Sequence, residues 1–346
     1  MISTLIKNKA CGLLHRLLEL IQGKSNPFER FKSEALYANL DMEGRSIDPE
    51  TYPERKKYLL TDAVITNERI LAHCERISSI DDIPADRIKG SIFYIYFQCD
   101  SDAIPHVKKI IDNGGTLFPP LAFENTQYRF VDRVAYDVIK NSWDNGDKIS
   151  HLILNVHENI CEAIELTRNI EGVYVEIGVF KGGSAFTALN YLKAVNSNRH
   201  AWLFDTFDGF NYEEARQSAD AIWCDTHQLF GADETISRIS NLLMETGSPF
   251  TLVKANICDH QLPSSISKIA VANIDVDLYE ATRAALAKVG PLMALGGIII
   301  CEDPTSTPGL YGACVAMQDF LKSAEFGGKF LPVFKGGQYF LIKMAE

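Results

Sequence analysis

The stretch Val173-Tyr-Val-Glu-Ile-Gly-Val-Phe-Lys-Gly-Gly-Ser184 decides the fold of this chain. Its first five residues alternate β-branched side chains with other types, and Gly182-Gly183 open a helix-forming run that continues to Lys193. The pattern predicts a strand, a tight glycine turn and a helix N-terminus. Open α/β sheets hold nucleotide-like ligands with this geometry, because a glycine without Cβ lets the ligand approach the backbone.

The glycine spacing distinguishes between three types of ligand-binding loop that all connect a strand to a helix through a glycine turn. A dinucleotide-binding loop has the pattern G-x-G-x-x-G, whereas three residues separate Gly178 from Gly182. A phosphate-binding loop, G-x-x-x-x-G-K-[ST], fits until Ser184, which stands where lysine is required. An acidic residue, Glu176, before a short glycine turn resembles the first motif of S-adenosylmethionine-dependent methyltransferases. Glu176, Gly178, Gly182 and Ser184 are therefore the candidate cofactor contacts in this stretch.

Strand and helix patterns alternate regularly after this turn, which predicts a parallel, doubly wound sheet. Candidate strands cover residues 173–177, 201–204, 251–255, 270–274 and 298–301, and candidate helices cover 184–195, 234–245, 279–289 and 313–321. Residues 330–334 and 338–343 flank Lys335-Gly-Gly337 and predict a hairpin that closes the sheet edge. The expected fold class is therefore α/β, a Rossmann-like class I methyltransferase sheet that is parallel except for an antiparallel last strand.

The upstream part predicts a small accessory α/β module. Predicted elements are an amphipathic helix at 5–22 that serves packing or oligomerisation, a helix at 59–77, a strand at 91–99 and a helix at 104–113. Pro119-Pro120 is the candidate linker. Residues 1–118 are thus predicted to form an accessory or oligomerisation module. Residues 119–346 form the methyltransferase domain, led by helices at 124–143 and 152–170.

The composition indicates which kinds of partner and which compartment are expected for this protein. The net charge is -11, and no cluster of Lys and Arg suits a phosphate backbone, so a nucleic-acid partner is not expected. No apolar run approaches the ~18 residues of a membrane span, which predicts a protein without membrane association. The eight cysteines lack C-x-x-C spacing, as is typical of reduced cytoplasmic proteins. We expect a cytoplasmic homo-oligomer.

Polar residues follow the candidate strands where the carboxyl edge of the sheet is expected. Asp205 ends the second strand and is placed to accept hydrogen bonds from both ribose hydroxyls of an adenosyl group. Asn256 follows the third strand, where its amide could face adenine. Both are candidate cofactor contacts.

Four carboxylates come after the next two strands. Asp275 and Asp277 follow one strand, and Glu302 and Asp303 follow the other. Each could instead cap the following element, but four together would repel one another unless a cation lies between them. Because these candidates offer oxygen ligands, Mg²⁺ is favoured over zinc.

Four motifs together resemble the macrocin O-methyltransferase family: Glu176-Ile-Gly-Val-Phe-Lys-Gly-Gly-Ser184, Leu203-Phe-Asp-Thr-Phe-Asp-Gly-Phe210, Ile274-Asp-Val-Asp-Leu-Tyr-Glu-Ala-Thr282 and Gly296-Gly-Ile-Ile-Ile-Cys-Glu-Asp303. The resemblance covers about residues 153–343. It implies S-adenosylmethionine- and Mg²⁺-dependent methylation of a hydroxyl on a sugar or a sugar-bearing natural product.

The resemblance also implies roles for individual residues. Asp275, Glu302 and Asp303 would bind the metal, with Asp275 also next to the cofactor, and Asp277 would be the general base. The segment 210–233, which contains His227, is predicted to be a lid. Two alternatives stay open, a methyltransferase that acts on a catechol-like phenol and a non-catalytic nucleotide-binding or assembly module.

Overall fold

A computed structural model describes residues 41–42, 45–46, 52–62, 68–97, 99–118, 132–144, 154–303 and 311–346. The chain divides into two compact units, Met1–Asp132 and Arg133–Glu346. Several predicted features lie wholly or partly outside the described residues. Among them are the helix at 5–22, the linker Pro119-Pro120, the first part of the helix at 124–143 and the first two residues of the helix at 152–170. The domain boundary at 118/119 stays a prediction.

The N-terminal unit contains a four-stranded parallel sheet in the order β4-β3-β5-β6. A short antiparallel pair, β1 and β2, precedes it. The elements are β1 Asp41–Met42, β2 Arg45–Ser46, β3 Lys57–Thr61, α1 Glu68–His73, β4 Glu75–Ile77, α2 Ala85–Ile88, β5 Ile92–Tyr96, α3 Asp100–Asp112 and β6 Thr116–Phe118.

The helix predicted at 59–77 is wrong. Lys57–Thr61 is a fully buried strand between β4 and β5, and Glu75–Ile77 is a second strand. Among the described residues of this range, the helix covers Glu68–His73. A short apolar run such as Tyr58-Leu59-Leu60 fits a buried strand as well as a helix, so pairing with neighbouring strands decides its conformation. The strand predicted at 91–99 and the helix predicted at 104–113 are confirmed by β5 and α3.

The C-terminal unit follows the predicted alternation of strands and helices. Its elements are α4 Arg133–Asp144, α5 Leu154–Leu166, β7 Val173–Ile177, α6 Gly183–Ala194, β8 Ala201–Asp205, α7 Glu213–Gln217, α8 Ala232–Met244, β9 Phe250–Lys254, β10 Ile269–Ile274, α9 Tyr279–Val289, β11 Met293–Cys301, α10 Tyr311–Lys322, β12 Phe330–Lys335 and β13 Gln338–Lys343. Every strand predicted after Val173 is present, with boundaries that differ by a few residues.

The seven strands form one sheet in the order β12-β13-β11-β10-β7-β8-β9. Strands β7 to β11 are parallel, and β13 runs antiparallel to both β11 and β12. The strand order reverses beside β7, and such switch points bind ligands at their carboxyl edge. The predicted class I methyltransferase topology is therefore confirmed. No helix in the part of the chain that the structure describes is long and apolar enough to cross a bilayer.

Candidate active site

A cavity of about 580 Å³ opens at the carboxyl edge of this sheet, next to β7, β8, β9, β10 and β11. Its polar wall contains Asp205, Asn256, Asp275, Asp277, Glu302 and Asp303, and its apolar wall includes Phe180, Phe207, Phe210, Tyr212, Leu229 and Ile257. Gly178 also lines it. The structure thus brings seven of the ten predicted site residues to one cavity.

Gly178 lets the ends of β7 and β10 approach each other closely. Its φ is 92°, and a Cβ at this position would lie 1.7 Å from the carbonyl oxygen of Asp275. Any side chain would therefore push apart the two strands that carry the turn and the first acidic residue. Gly182, with φ 86°, is the N-cap of α6.

The other three predicted contacts in this stretch, Glu176, Gly182 and Ser184, are not among the residues that line the cavity. Glu176 is fully buried and accepts hydrogen bonds of 2.6 Å from the hydroxyls of Tyr174 and Ser184. Burial raises the pKa of the Glu176 carboxyl to about 7. The two hydroxyls satisfy a buried acid, so Glu176 and Ser184 support the glycine turn from inside the protein.

Asp205 joins the turns after β7 and β8. Its Oδ2 accepts hydrogen bonds from the backbone N–H groups of Val179 (2.7 Å) and Phe180 (2.8 Å). Its Oδ1 accepts one from the N–H of Phe207 (2.7 Å). Oδ2 thus uses both of its lone pairs on the protein, whereas Oδ1 retains one. Asp205 therefore holds the cavity wall together and can still accept a hydrogen bond from a ligand at Oδ1.

Asn256 follows β9, and both ends of its amide already have protein partners. Its Nδ2 donates to Oε2 of Glu214 on α7 (2.8 Å), and its Oδ1 accepts from the N–H of Cys258 (3.0 Å). The side chain thus connects the turn after β9 to the segment that follows β8. Its second amide hydrogen and the second lone pair of Oδ1 are left for a ligand.

The acidic residues converge where β10 and β11 end. One carboxylate oxygen from each of Asp275, Asp277 and Asp303 lies within 4.8 Å of the other two. Asp277 has a left-handed backbone (φ 59°), and its N–H donates to Oδ2 of Asp303 (2.7 Å). Glu302 is buried and lines the same cavity but is not one of this trio.

Burial and mutual repulsion disfavour the ionised forms of this cluster. The pKa of the Asp275 carboxyl is raised well above its usual range by burial and then by the charges of Glu302 and Asp277. Burial and the charges of Asp277 and Asp275 likewise raise the pKa of Asp303. The pKa of Asp277 is also raised by burial, although its contact with Asp303 and the charge of His227 oppose the shift. A cation would reverse these shifts.

The donor set fits Mg²⁺. The Oδ1 atom of Asp303 is buried and has no hydrogen-bond partner among the described residues, although a buried carboxylate oxygen normally has one. Mg²⁺ binds oxygen ligands, usually one or two carboxylates together with waters or substrate oxygens. Asp275, Asp277 and Asp303 are thus geometrically able to hold the ion, with Glu302 beside them.

Sequence reasoning missed Phe180 and Phe207 as aromatic residues of the cavity wall and named His227 only within the predicted lid. Phe180, Phe207 and His227 have left-handed backbones, with φ of 48°, 54° and 61°. The His227 ring lies 4.7 Å from the Phe210 ring and 5.7 Å from the Phe180 ring, and its Nδ1 is 2.9 Å from Oγ1 of Thr226. Such backbone strain concentrates at functional sites, but no residue type at these positions signals it.

Comparisons with known proteins agree with the architecture. Residues 150–327, just over half of the chain, match the model of the Macrocin-O-methyltransferase (TylF) family. Demethyldecarbamoylnovobiocin O-methyltransferase of Streptomyces niveus is 25% identical over 204 residues, which cover 56% of this chain and 77% of that protein. The 8-demethyl-8-(2,3-dimethoxy-alpha-L-rhamnosyl)-tetracenomycin-C 4'-O-methyltransferase of Streptomyces olivaceus is 27% identical over 164 residues, which cover 41% of this chain and 57% of that protein.

Solved structures with a similar fold include the O-methyltransferase NovP, at 22% identity and a TM-score of 0.46. That match covers 56% of this chain and 81% of NovP. The calicheamicin methyltransferase CalS11 has 18% identity and a TM-score of 0.47, and its match covers 60% of this chain and 91% of CalS11.

This chain is a class I, S-adenosylmethionine-dependent O-methyltransferase, as indicated by the order of its strands, the glycine turn after β7 and the family match. Within that class, the chain belongs to the macrocin O-methyltransferase family.

Proposed function

We propose that this enzyme requires Mg²⁺ and methylates a hydroxyl of a sugar or of a sugar-bearing small molecule. The main support for the metal is the acidic trio Asp275, Asp277 and Asp303, which lies in the same cavity as the glycine turn and includes a buried Oδ1 of Asp303 without a partner among the described residues. The sugar acceptor is supported by the Streptomyces olivaceus relative, whose name describes O-methylation of a rhamnosyl-bearing compound.

The fold supports one placement of the cofactor in the cavity. Asp205 would accept a hydrogen bond from a ribose hydroxyl through Oδ1, and Asn256 and Ile257 would form the adenine side. The reacting end would then lie near Gly178 and Asp275, beside the acidic trio. This arrangement puts the acceptor between the carboxylates and the aromatic wall of Phe180, Phe210 and His227.

The chain's own residues have three tasks. Asp275 and Asp303, with Glu302, hold the metal and thereby fix the acceptor, and Asp277 accepts the proton of the reacting hydroxyl. The apolar wall and segment 210–233 exclude water, which strengthens the electrostatic effects in the site. When bound, Mg²⁺ lowers the pKa of an alcohol that contacts it, and S-adenosylmethionine provides an electrophilic methyl group.

A catechol-like phenol is the second candidate acceptor, because the rings of Phe180 and Phe210 could also pack against a planar aromatic molecule. A non-catalytic binding module is disfavoured, since nucleotide binding alone gives no reason to gather four carboxylates in the cavity.

Methyl transfer from isotope-labelled S-adenosylmethionine tests the proposal. The full chain is incubated with Mg²⁺ and either neutral deoxysugar glycosides or a simple catechol, with a chelator in parallel samples. We expect the labelled methyl group to appear on a sugar hydroxyl, and we expect no methyl transfer in the samples that contain the chelator. Transfer that survives complete metal removal would contradict the metal role, and transfer to catechol alone would favour the second acceptor.

We further propose that the protein is a cytoplasmic homo-oligomer to whose assembly residues 1–22 contribute. Their amphipathic pattern supports this proposal. Deleting residues 1–22 should lower the molar mass measured by light scattering, and an unchanged mass would refute the role of this segment.

A further inference from the structure

Lys288, in the last turn of α9, binds three backbone carbonyls of one short turn. Its Nζ donates to the carbonyl oxygens of Ile257, Cys258 (3.0 Å) and His260 (2.9 Å). An ammonium group has three N–H donors, so these contacts use all of them. Lys288 therefore anchors the turn after β9 to α9, a helix that packs on the sheet.

The turn that Lys288 anchors is one wall of the active-site cavity. Ala255, Asn256 and Ile257 line the cavity, and Cys258 donates its N–H to the Asn256 side chain. The His260 ring lies 6.4 Å from the ring of Phe204, another lining residue. The three carbonyls thus belong to the residues that set the position of Asn256 and Ile257.

We infer that Lys288 is a positioning residue for S-adenosylmethionine, and that its contacts with the 257–260 carbonyls hold the adenosyl side of the cavity in its binding shape. The inference rests on the proposed placement of the adenosyl group against Asn256 and Ile257. The inference assigns different effects to different side chains at this site. Lys288 affects cofactor affinity, whereas Asp275, Asp277 and Asp303 affect the chemical step.

The physical reason lies in preorganisation. Without the ammonium, three carbonyls lose their common partner, and the turn gains conformations in which Asn256 and Ile257 no longer face the ligand together. Only molecules whose 257–260 turn has the binding conformation bind the cofactor. The apparent affinity is therefore the intrinsic affinity multiplied by the fraction of such molecules. A bound cofactor orders the turn again, and the rate of methyl transfer at saturation changes little.

The test compares Lys288→Met, Lys288→Arg and Lys322→Met in the full chain. Methionine keeps much of the apolar stem of lysine but has no donors, whereas arginine keeps the charge and several donors. Lys322 is an exposed lysine in the last turn of α10 and serves as the matched control. Binding of S-adenosylhomocysteine and of adenosine is measured by calorimetry, and methyl transfer is measured in single turnovers at saturating S-adenosylmethionine.

We expect Lys288→Met to weaken binding of both probes about tenfold, with a single-turnover rate within about twofold of wild type. Lys288→Arg should recover most of the affinity, and Lys322→Met should match wild type. Thermal melting identifies variants that fail to fold. If Lys288→Met does not fold, Lys288→Arg decides: a small residual loss of affinity for both probes at an unchanged rate supports the inference, and a lower rate at wild-type affinity overturns it.

Unchanged binding in a folded Lys288→Met variant would overturn the inference while leaving the proposed function intact. A loss of S-adenosylhomocysteine binding without loss of adenosine binding would also overturn it, because Lys288 would then act away from the adenosyl side. If the wild-type chain bound neither probe, the proposed cofactor site would fail, and this inference with it.

Discussion

Asp275 and Asp277 stand two residues apart after β10, and the same substitution should affect them differently. Asp277→Asn keeps the size of the side chain but removes its basicity, so we expect turnover to fall by roughly 10²–10⁴ with Mg²⁺ affinity nearly unchanged. Asp275→Asn should lose metal affinity and turnover together. Single-turnover methyl transfer, with a parallel Mg²⁺ titration of each variant, makes the comparison.

The controls show whether Asp277 acts as a general base or as a ligand of Mg²⁺. Excess Mg²⁺ should partly restore Asp275→Asn, while a higher pH should partly restore Asp277→Asn. Because an Asp277 oxygen lies within 4.8 Å of the other two carboxylates, Asp277 is close enough to bind the ion itself. Equal loss of metal affinity in both variants would make Asp277 a ligand, and His227 would become the candidate base.

Sequence predicted that these side chains meet at one edge of the sheet, because their position depends on a simple rule. Parallel strands end at one edge, so Asp205, Asp275 and Asp303 had to meet once the strands were recognised. The inward direction of Glu176 and the left-handed turn at Phe180 depend on packing across several strands. Lys288 was missed for the same reason, because its partners lie about 30 residues earlier in the chain.

At the level of elements, the segment between β8 and α8 is fixed to both sides of the cavity. Glu214 on α7 accepts from Asn256, and Asp220 accepts from the N–H of Tyr279, the first residue of α9 (2.8 Å). Sequence predicted the segment as a lid, but its two anchors come from distant contacts that carry no local signal. The Asp220 contact lies next to the acidic trio, since Tyr279 follows Asp277 by two residues.

Loss of the Asp220 anchor should affect the acceptor more than the cofactor. We expect Asp220→Ala to raise the acceptor KM about fivefold and to leave S-adenosylmethionine binding within about twofold. A helix-capping acid contributes ~1 kcal/mol, which corresponds to a several-fold effect when the acceptor must order the segment. Steady-state kinetics with each substrate varied in turn distinguish the two outcomes.

Gly312→Ala provides an independent test of the same contact. A Cβ on Gly312 would lie 2.3 Å from Oδ2 of Asp220, so this substitution should displace the carboxylate and reproduce the Asp220→Ala kinetics. Glu213→Ala is the matched control, since the Glu213 side chain is exposed and bonds only with Gln217 among the contacts of described residues. If both test variants behave like Glu213→Ala, the segment does not act as a lid.

At the scale of the whole molecule, the buried acids link stability to pH. The pKa values of Asp275, Asp277 and Asp303 are raised in the folded protein by burial, so the folded state binds more protons than the unfolded chain. Their stabilising effect is complete below the unfolded pKa of ~4 and is lost as the pH rises through the raised values. Glu176, with a pKa of about 7 against 4.5, acts in the same direction, by on the order of 3 kcal/mol.

The metal-free protein should therefore lose stability between pH 5 and pH 8, and Mg²⁺ should restore part of it. Ion at about 100 times its Kd would add ~2.7 kcal/mol to the free energy of unfolding at pH 8, and less at pH 5, where protons compete for the same carboxylates. All three tryptophans lie in the C-terminal unit, so their fluorescence in urea follows the unit that contains the site.

Two variants test which buried acids are responsible. Asp303→Asn should stabilise the metal-free protein at pH 8 and remove the Mg²⁺ response. Glu176→Gln should reduce the pH dependence and retain that response, because its carboxyl lies outside the acidic trio. A Mg²⁺ response of equal size at both pH values, or metal-free stability that rises with pH, would contradict this account of the buried acids.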